Sequence, residues 1–229
     1  MSHAATLDHS PAAPAATAAS AFPGSAAYWE QRYRAGGNSG AGSYGRLGRF
    51  KADVVNLVAL QSGVVSAIEL GCGDGHQLGL LNLTQYLGFD VSETALQRCR
   101  QLYAKDRSKR FLPMQALTDQ QADMSLSLDV IYHLVEDAVY SAYMHSLFNA
   151  SLQLVLIYAS DPPEDTASAN AHVRHRAVTR WVAEQRRDFI FLGDIENRYP
   201  LQDDPQNESF AHFMLFRRDP DAAEASLLP

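Results

Sequence analysis

The sequence predicts a doubly wound α/β domain: a mostly parallel seven-stranded sheet covered by helices on both faces, with an antiparallel hairpin at its C-terminal edge. Three observations predict it. Apolar, strand-like runs alternate with amphipathic helical stretches through the middle of the chain. The first of these runs, "VSAIEL", ends in a glycine cluster. The last two, "DFIFLGDI" and "SFAHFMLFRRD", have no helix between them and should pair antiparallel at a sheet edge.

A chain of 229 residues suits one well-packed domain with appendages rather than two full-sized ones. Residues 1–27 start as an Ala/Pro/Ser-rich stretch without a basic leader or a continuous apolar core, so they read as a disordered tail and not as a signal peptide. The domain is expected over 28–218, with a frayed end over 219–229. "AAYWEQRYR" predicts a short aromatic helix whose Tyr28, Trp29 and Tyr33 are core candidates. A Gly/Asn/Ser loop follows over 36–45. Leu47, Phe50, Val54, Leu57 and Val58 then recur at helical spacing and predict an amphipathic helix with one face on a sheet.

Residues 64–70 read as a buried strand with glycine punctuation at its end. After it come a short helix over 76–82, a strand "YLGFD" ending at Asp90, and a helix over "SETALQRCRQLYAK". Ser92 is the N-cap of that helix, and Ala95, Leu96, Cys99, Leu102 and Tyr103 mark its buried face. A weak strand is expected near Phe111, then a strand over 123–128, a helix over 136–149 and an apolar strand over 152–158. The stretch "HVRHRAVTRWVAEQRR" (172–187) reads as a basic helix carrying Trp181, inside a cap region over 164–187.

Composition narrows the function. Hydrophobic residues at 46% and charged residues at 20% are an ordinary globular balance, which excludes wholesale disorder. A net charge of −7 argues against a general nucleic-acid binder, because neutralising phosphates needs a basic surface. No run of eighteen apolar residues occurs, so no membrane-spanning helix is predicted. Cys72 and Cys99 are too few for a disulfide framework and read as reduced thiols, which points to a cytosolic compartment.

The glycine cluster "IELGCGDGH" carries the chemistry. The dinucleotide pattern G-x-G-x-x-G fails at its third glycine, where His76 stands, and the Gly-Lys-Ser/Thr ending of a phosphate loop is absent. Glu69 and Asp74 would repel a phosphate but attract a cationic ligand. What remains is a strand, E-x-G-x-G-x-G, a turn, and a second strand closing on an acid, Asp90. Glycines let the backbone approach a ligand closely, and open α/β sheets bind ligands at the carboxyl ends of their strands.

The pattern "IELGCGDG…LGFDVS…ADMSLSLDVIYHL…LQLVLIYASD" resembles the class I, Rossmann-like S-adenosylmethionine-dependent methyltransferases. The resemblance covers roughly residues 28–216 on the alternation of elements, and its most specific parts are 65–92 and 122–134. "YWEQRY" looks like the lead-in helix of small-molecule methyltransferases. The resemblance implies that Glu69, Gly71, Gly73 and Gly75 line the methionine part of S-adenosylmethionine, with Cys72 and Asp74 also at the cofactor. It also implies that Asp90, with Val91, takes the ribose hydroxyls, and that Ser127, Leu128 and Asp129 border the methyl group. The adenine-reading stretch 110–121 is faint, with Met114, Gln115, Ala116 and Leu117 as candidates. The ligand implied has an ammonium and a sulfonium and no phosphate, in keeping with carboxylates beside the loop.

Methyl transfer from a sulfonium is an in-line displacement that positioning can catalyse, and an oxygen or nitrogen acceptor that loses a proton gains from a histidine base. His133, after the fourth strand, is the first candidate; a histidine that caps or packs under the next helix is the plain alternative. Asp129 is read as orienting the acceptor, or as a faint metal pair with Asp161 that lacks a third ligand, so no metal is expected. His172 and His175 are read on one helix face as a lid toward a polar acceptor, against a solvated basic face as the alternative. Arg46, in a glycine-rich lid over 36–46, is expected to pair with the cofactor carboxylate. The function expected is methyl transfer to an oxygen or nitrogen of a small or medium polar acceptor, with a sugar or glycan intermediate preferred. No nucleic-acid or membrane partner is expected. A non-catalytic cofactor-binding module would bind without turnover, and an NAD-linked oxidoreductase is opposed by the missing third glycine.

Overall fold

The structure, a computed structural model, describes residues 22–225. Its elements in order are α1 (Ser25–Arg34), α2 (Gly45–Ser62), β1 (Ser66–Leu70), β2 (Gln85–Asp90), α3 (Glu93–Leu102), β3 (Lys109–Pro113), β4 (Ala122–Leu128), α4 (Asp137–Asn149) and β5 (Ser151–Ala159). They are followed by β6 (Thr166–Ala167), β7 (Arg174–His175), α5 (Val178–Gln185), β8 (Phe189–Ile195), β9 (His212–Arg218) and α6 (Pro220–Ala225). Seven strands form one sheet in the order β3-β2-β1-β4-β5-β9-β8. The pairs up to β5 are parallel, and β9 runs antiparallel to both β5 and β8. The expected doubly wound sheet with its C-terminal edge hairpin is therefore present.

The core follows from strand periodicity. On β5, Leu154, Leu156 and Tyr158 belong to the same buried cluster as Phe50 and Val54 of α2 and Leu96 and Cys99 of α3. Val155, Ile157 and Ala159 face Met144, Leu147 and Phe148 of α4 and Val182 of α5. Successive side chains point to opposite faces, so a strand covered on both sides reads as a continuous apolar run. Truncating fully buried Phe148 to alanine would cost about 3–5 kcal/mol.

Several expectations need correction. Leu57 is 53% exposed and Leu102 is 62% exposed. The buried stripe of α2 runs instead through Leu47, Lys51, Val54, Val55 and Val58, and Leu57 points away from it. The turn after the glycine loop is a short 3-10 segment (Gln77–Leu80), not a helix to 82. The segment 172–187 is not one helix: Arg174–His175 pairs with Thr166–Ala167 as a small hairpin, and helix begins only at Val178. Buried Arg176 causes this, because its guanidinium donates to Asp137 and Asp165 and to the carbonyls of Leu134 and Val135. Of the expected tail, residues 1–21 lie outside the described residues and 25–27 begin α1. Of the expected frayed end, 220–225 form α6 and 226–229 lie outside the described residues. Among the described residues no helix is long and apolar enough to cross a membrane.

Candidate active site

The connections leave β1 and β4 in opposite directions, which opens a crevice at the carboxyl ends of the strands. A cavity of about 450 Å³ occupies it, lined by the loop after β1, the ends of β2 and β4, and α1 above them. Gly73 sits at φ 58°, and a Cβ there would collide with Ser39 Oγ. Glycine is thus required by both backbone and neighbour. The Gly73 N–H donates to Asp90 Oδ2 at 2.9 Å and the Ser92 N–H to Oδ1 at 2.8 Å, so the loop is fastened to the end of β2. Ser92 caps α3 as expected, its Oγ accepting from the Ala95 N–H at 3.1 Å.

Of the four carboxylates that line this cavity, Glu69, Asp74 and Asp90 stand in different states. Burial pushes Glu69 up to about 7, although Tyr86 donates to its Oε2 at 2.5 Å. Burial likewise raises Asp90 to about 6, against the backbone N–H groups of Ser92, Gly73 and Val91 that favour its charged form. For Asp74 burial also raises the pKa, but hydrogen bonds from the Ser39 and His76 N–H groups and the Tyr44 hydroxyl outweigh it and hold the carboxyl below its usual range.

The roof is α1. At one end Ser25 Oγ donates to Glu136 Oε2 at 2.5 Å, and at the other Glu30 accepts from the Ser92 and Thr94 hydroxyls at 2.6 and 2.7 Å. Those hydroxyls lower the Glu30 pKa to about 2. Held at both ends, α1 presents Trp29 and buried Tyr33 to the cavity.

A second pocket of about 260 Å³ adjoins the first, and Trp29, Ser39, Asp129 and His133 line both. Asp129 is the one described non-glycine residue with positive φ, at 61°. Its carboxylate accepts from the Lys51 ammonium, and from the Tyr132 hydroxyl at 2.8 Å. His133 Nδ1 lies 3.0 Å from the His172 carbonyl, which can only accept, so Nδ1 carries the proton and Nε2 keeps a lone pair. Burial lowers the His133 pKa to about 4 and keeps the ring neutral. His172 stacks on Tyr28, with ring centroids 4.6 Å apart, and on His133 at 5.5 Å.

The structure gathers most of the residues singled out in the sequence. Glu69, Gly71, Cys72, Gly73, Asp74, Asp90, Val91, Leu128, Asp129 and His133 line the first cavity, and His172 lines the second. Of the adenine candidates, Met114 reaches the cavity. Four expected residues are placed elsewhere. Arg46 lies over the Tyr199 ring and donates to the Asn207 carbonyl at 2.6 Å. Ser127, on the α4 face of β4, accepts from Tyr143 at 2.7 Å. Gly75 packs against Cys99 and Tyr103 of α3. His175 bonds Ser160 Oγ at 2.8 Å and shares no helix face with His172. Asp161 accepts from the N–H and the hydroxyl of Thr179 at the start of α5.

Tyr132, which the sequence suggests as pocket wall, lines the second pocket, whereas sequence reasoning missed Lys51 and Gln77. The signal for Lys51 was a lysine at the centre of an apolar helical stripe. Gln77 donates to the Gly48 carbonyl at 2.8 Å, while its Oε1 is buried at the cavity with no partner among the described residues. An orphaned acceptor beside Glu69, Asp74 and Asp90 fits a ligand that brings an ammonium and hydroxyl donors. This matches S-adenosylmethionine and not a pyrophosphate.

A doubly wound sheet with a glycine loop and an acid-ended second strand around one cavity defines a Rossmann-like, nucleoside-binding architecture. The family model described as "Methyltransferase domain" matches residues 68–149. That stretch carries the glycine loop, Asp90 and Asp129, and the chain as a whole shares the fold of solved S-adenosylmethionine-dependent methyltransferases. Its fold is similar to the N-methyltransferase NodS from Bradyrhizobium japonicum WM9 in complex with S-adenosyl-L-homocysteine, at 14% identity and TM-score 0.65, covering 85% of this chain and 98% of that one. It is similar also to magnesium protoporphyrin IX methyltransferase from Synechocystis PCC 6803, at 15% identity and TM-score 0.61, covering 84% and 97%. A third similar fold is a S-adenosylmethionine-dependent methyltransferase from Clostridium acetobutylicum ATCC 824, at 10% identity and TM-score 0.53, covering 73% and 90%. No curated protein sequence matches the chain.

Proposed function

We propose that the enzyme transfers a methyl group to an oxygen or nitrogen of a small or medium polar acceptor held in the second pocket. The observation that carries this reading is the meeting of the two cavities at Trp29, Ser39, Asp129 and His133. When bound, the cofactor supplies an electrophilic methyl: the acceptor's lone pair bonds to the methyl carbon as the carbon–sulfur electron pair returns to sulfur. The protein's part is positioning. Glu69, Asp74 and Gln77 Oε1 offer acceptors to the ammonium, and Asp90, with Val91 beside it, to the ribose hydroxyls. His133 Nε2 accepts a hydrogen bond from the acceptor's O–H or N–H and receives its proton, with the tautomer set by the His172 carbonyl.

A sugar or glycan intermediate is the acceptor we prefer. The pocket combines the rings of Tyr28, Trp29, Tyr132 and Phe210 with the polar groups of Arg32, Ser39, Glu208 and Ser209, a wall that suits a polyhydroxylated ring. The net charge of −7 supports a small acceptor over a nucleic acid. Free, buried Cys72 and Cys99 support a reducing, cytoplasmic setting. We take 28–218 as the functional unit, with the loop before α2 as its lid.

The test is calorimetric titration with S-adenosylmethionine, S-adenosylhomocysteine and NAD in parallel, followed by an acceptor screen that reads S-adenosylhomocysteine formation. Binding of both adenosyl ligands, no NAD binding, and loss of turnover but not of cofactor affinity in His133→Ala support the reading. Absence of adenosyl binding ends it.

A further inference from the structure

The buried face of α2 carries a charge at its centre. Lys51 is fully buried between apolar neighbours, its ammonium 5.4 Å from the centroid of the Tyr158 ring and paired with Asp129. A buried ion pair is often less stabilising than apolar packing of the same volume, and a left-handed aspartate is strained. The two features coincide at one place. Lys51 is also the one lysine or arginine among the described residues that lines the first cavity.

The position of the pair gives it a task. Transfer carries the methyl group from one cavity to the other, so the reacting sulfur belongs beside the residues that line both. Of those four, Asp129 is the one carboxylate. The sulfur bears a full positive charge before transfer, a dispersed one during it, and none afterwards. A bare carboxylate there would favour the starting complex over both the transition state and the thioether product, which raises the barrier and does not lower it. A cation fixed behind the carboxylate removes that bias.

We propose that Lys51 is a specificity-determining residue for the cofactor: by pairing with Asp129 where the two cavities meet, it cancels the carboxylate's pull on the sulfonium and sets how the site ranks S-adenosylmethionine against S-adenosylhomocysteine. This rests on the methyl-transfer reading above. Tyr132 completes the arrangement, its hydroxyl holding Asp129 Oδ1 while Lys51 takes Oδ2.

The experiment is titration of the full-length protein with each ligand, reading the ratio of the two affinities in wild type, Lys51→Met, Asp129→Asn and the double variant. Lys51→Met should shift the ratio toward S-adenosylmethionine on the order of tenfold, and Asp129→Asn should shift it the other way by a similar factor, since an ammonium then faces the sulfonium unopposed. The double variant should return to within a few-fold of wild type. If Lys51→Met does not fold, as read by circular dichroism, Asp129→Asn and the double variant carry the test alone. A purely structural role would weaken both ligands equally, so unchanged ratios in variants that bind both overturn the proposal. A wild-type protein that binds neither ligand overturns the cofactor reading beneath it, and the proposal with it.

Discussion

Ser39 and Asp74 bind each other twice: the Ser39 N–H donates to the Asp74 carboxylate at 2.9 Å, and the Asp74 N–H donates to Ser39 Oγ at 3.0 Å. A residue of the loop before α2 and a residue of the glycine loop are thereby locked in register. Tyr44 fastens the other end of the loop before α2 to the same carboxylate at 2.8 Å.

Asp74→Ala should release this loop. Losing the charged acceptor strands the Ser39 and Tyr44 donors and should lower stability by about 2 kcal/mol. Urea denaturation measures the loss, and faster proteolytic cutting within residues 36–44 should accompany it. Unchanged cutting would mean that the loop is held by other contacts.

Gly73→Ala should impair the cofactor site more than the fold. The left-handed backbone and the collision with Ser39 Oγ both act locally, so S-adenosylhomocysteine affinity should fall at least about tenfold. Asp90→Ala, which unfastens the loop from β2, should give a similar loss. Retention of affinity in both variants would remove the glycine loop from the site.

Affinity for S-adenosylmethionine should rise with pH between about 5 and 8. Glu69 and Asp90 are raised to about 7 and about 6, so both bind protons near neutrality in the free protein. A cationic ligand favours their charged forms, so binding at pH 6 should release protons. Calorimetry in buffers of different ionisation heat reads this release directly; proton uptake would contradict the assignment.

His133 should make the protein acid-sensitive. Its folded pKa of about 4 lies below the unfolded value, so its contribution to stability is complete above about 6.5 and is lost as pH falls toward 4, by up to about 3 kcal/mol. Glu69 and Asp90, with raised values, act in the opposite sense over an overlapping range. The useful measurement is therefore the difference between wild type and His133→Gln in urea midpoints from pH 4.5 to 7.5. That difference should vanish in slope if His133 is charged in the folded protein.

Local signals made much of this legible in the sequence. The glycine loop, Asp90 and the Ser92 cap lie within one strand–turn–strand–helix stretch, where spacing alone brings them together. Residues 172–187 misled because helical propensity is local, whereas Arg176 finds Asp137, Asp165 and the Leu134 carbonyl across the fold and pulls its segment into an extended path. Arg46 misled for a related reason. A cation beside glycines looks available to a ligand, yet Asn207, Glu208 and Tyr199 come from a loop far along the chain and hold it. Lys51, five residues on, was hidden because an apolar stripe is read for its apolar members.

The roof helix also has a place in time. During synthesis α1 leaves the ribosome ahead of every described strand, yet Ser25 waits for Glu136, 111 residues later, and Glu30 for Thr94, 64 residues later. Contacts of such separation form only after the sheet has brought their partners close, because closing a long loop costs entropy before any bond repays it. A helix made ahead of the described strands should thus be among the last to dock, and the nascent sheet should pass through a stage in which its ligand crevice stands open to the chain's surroundings.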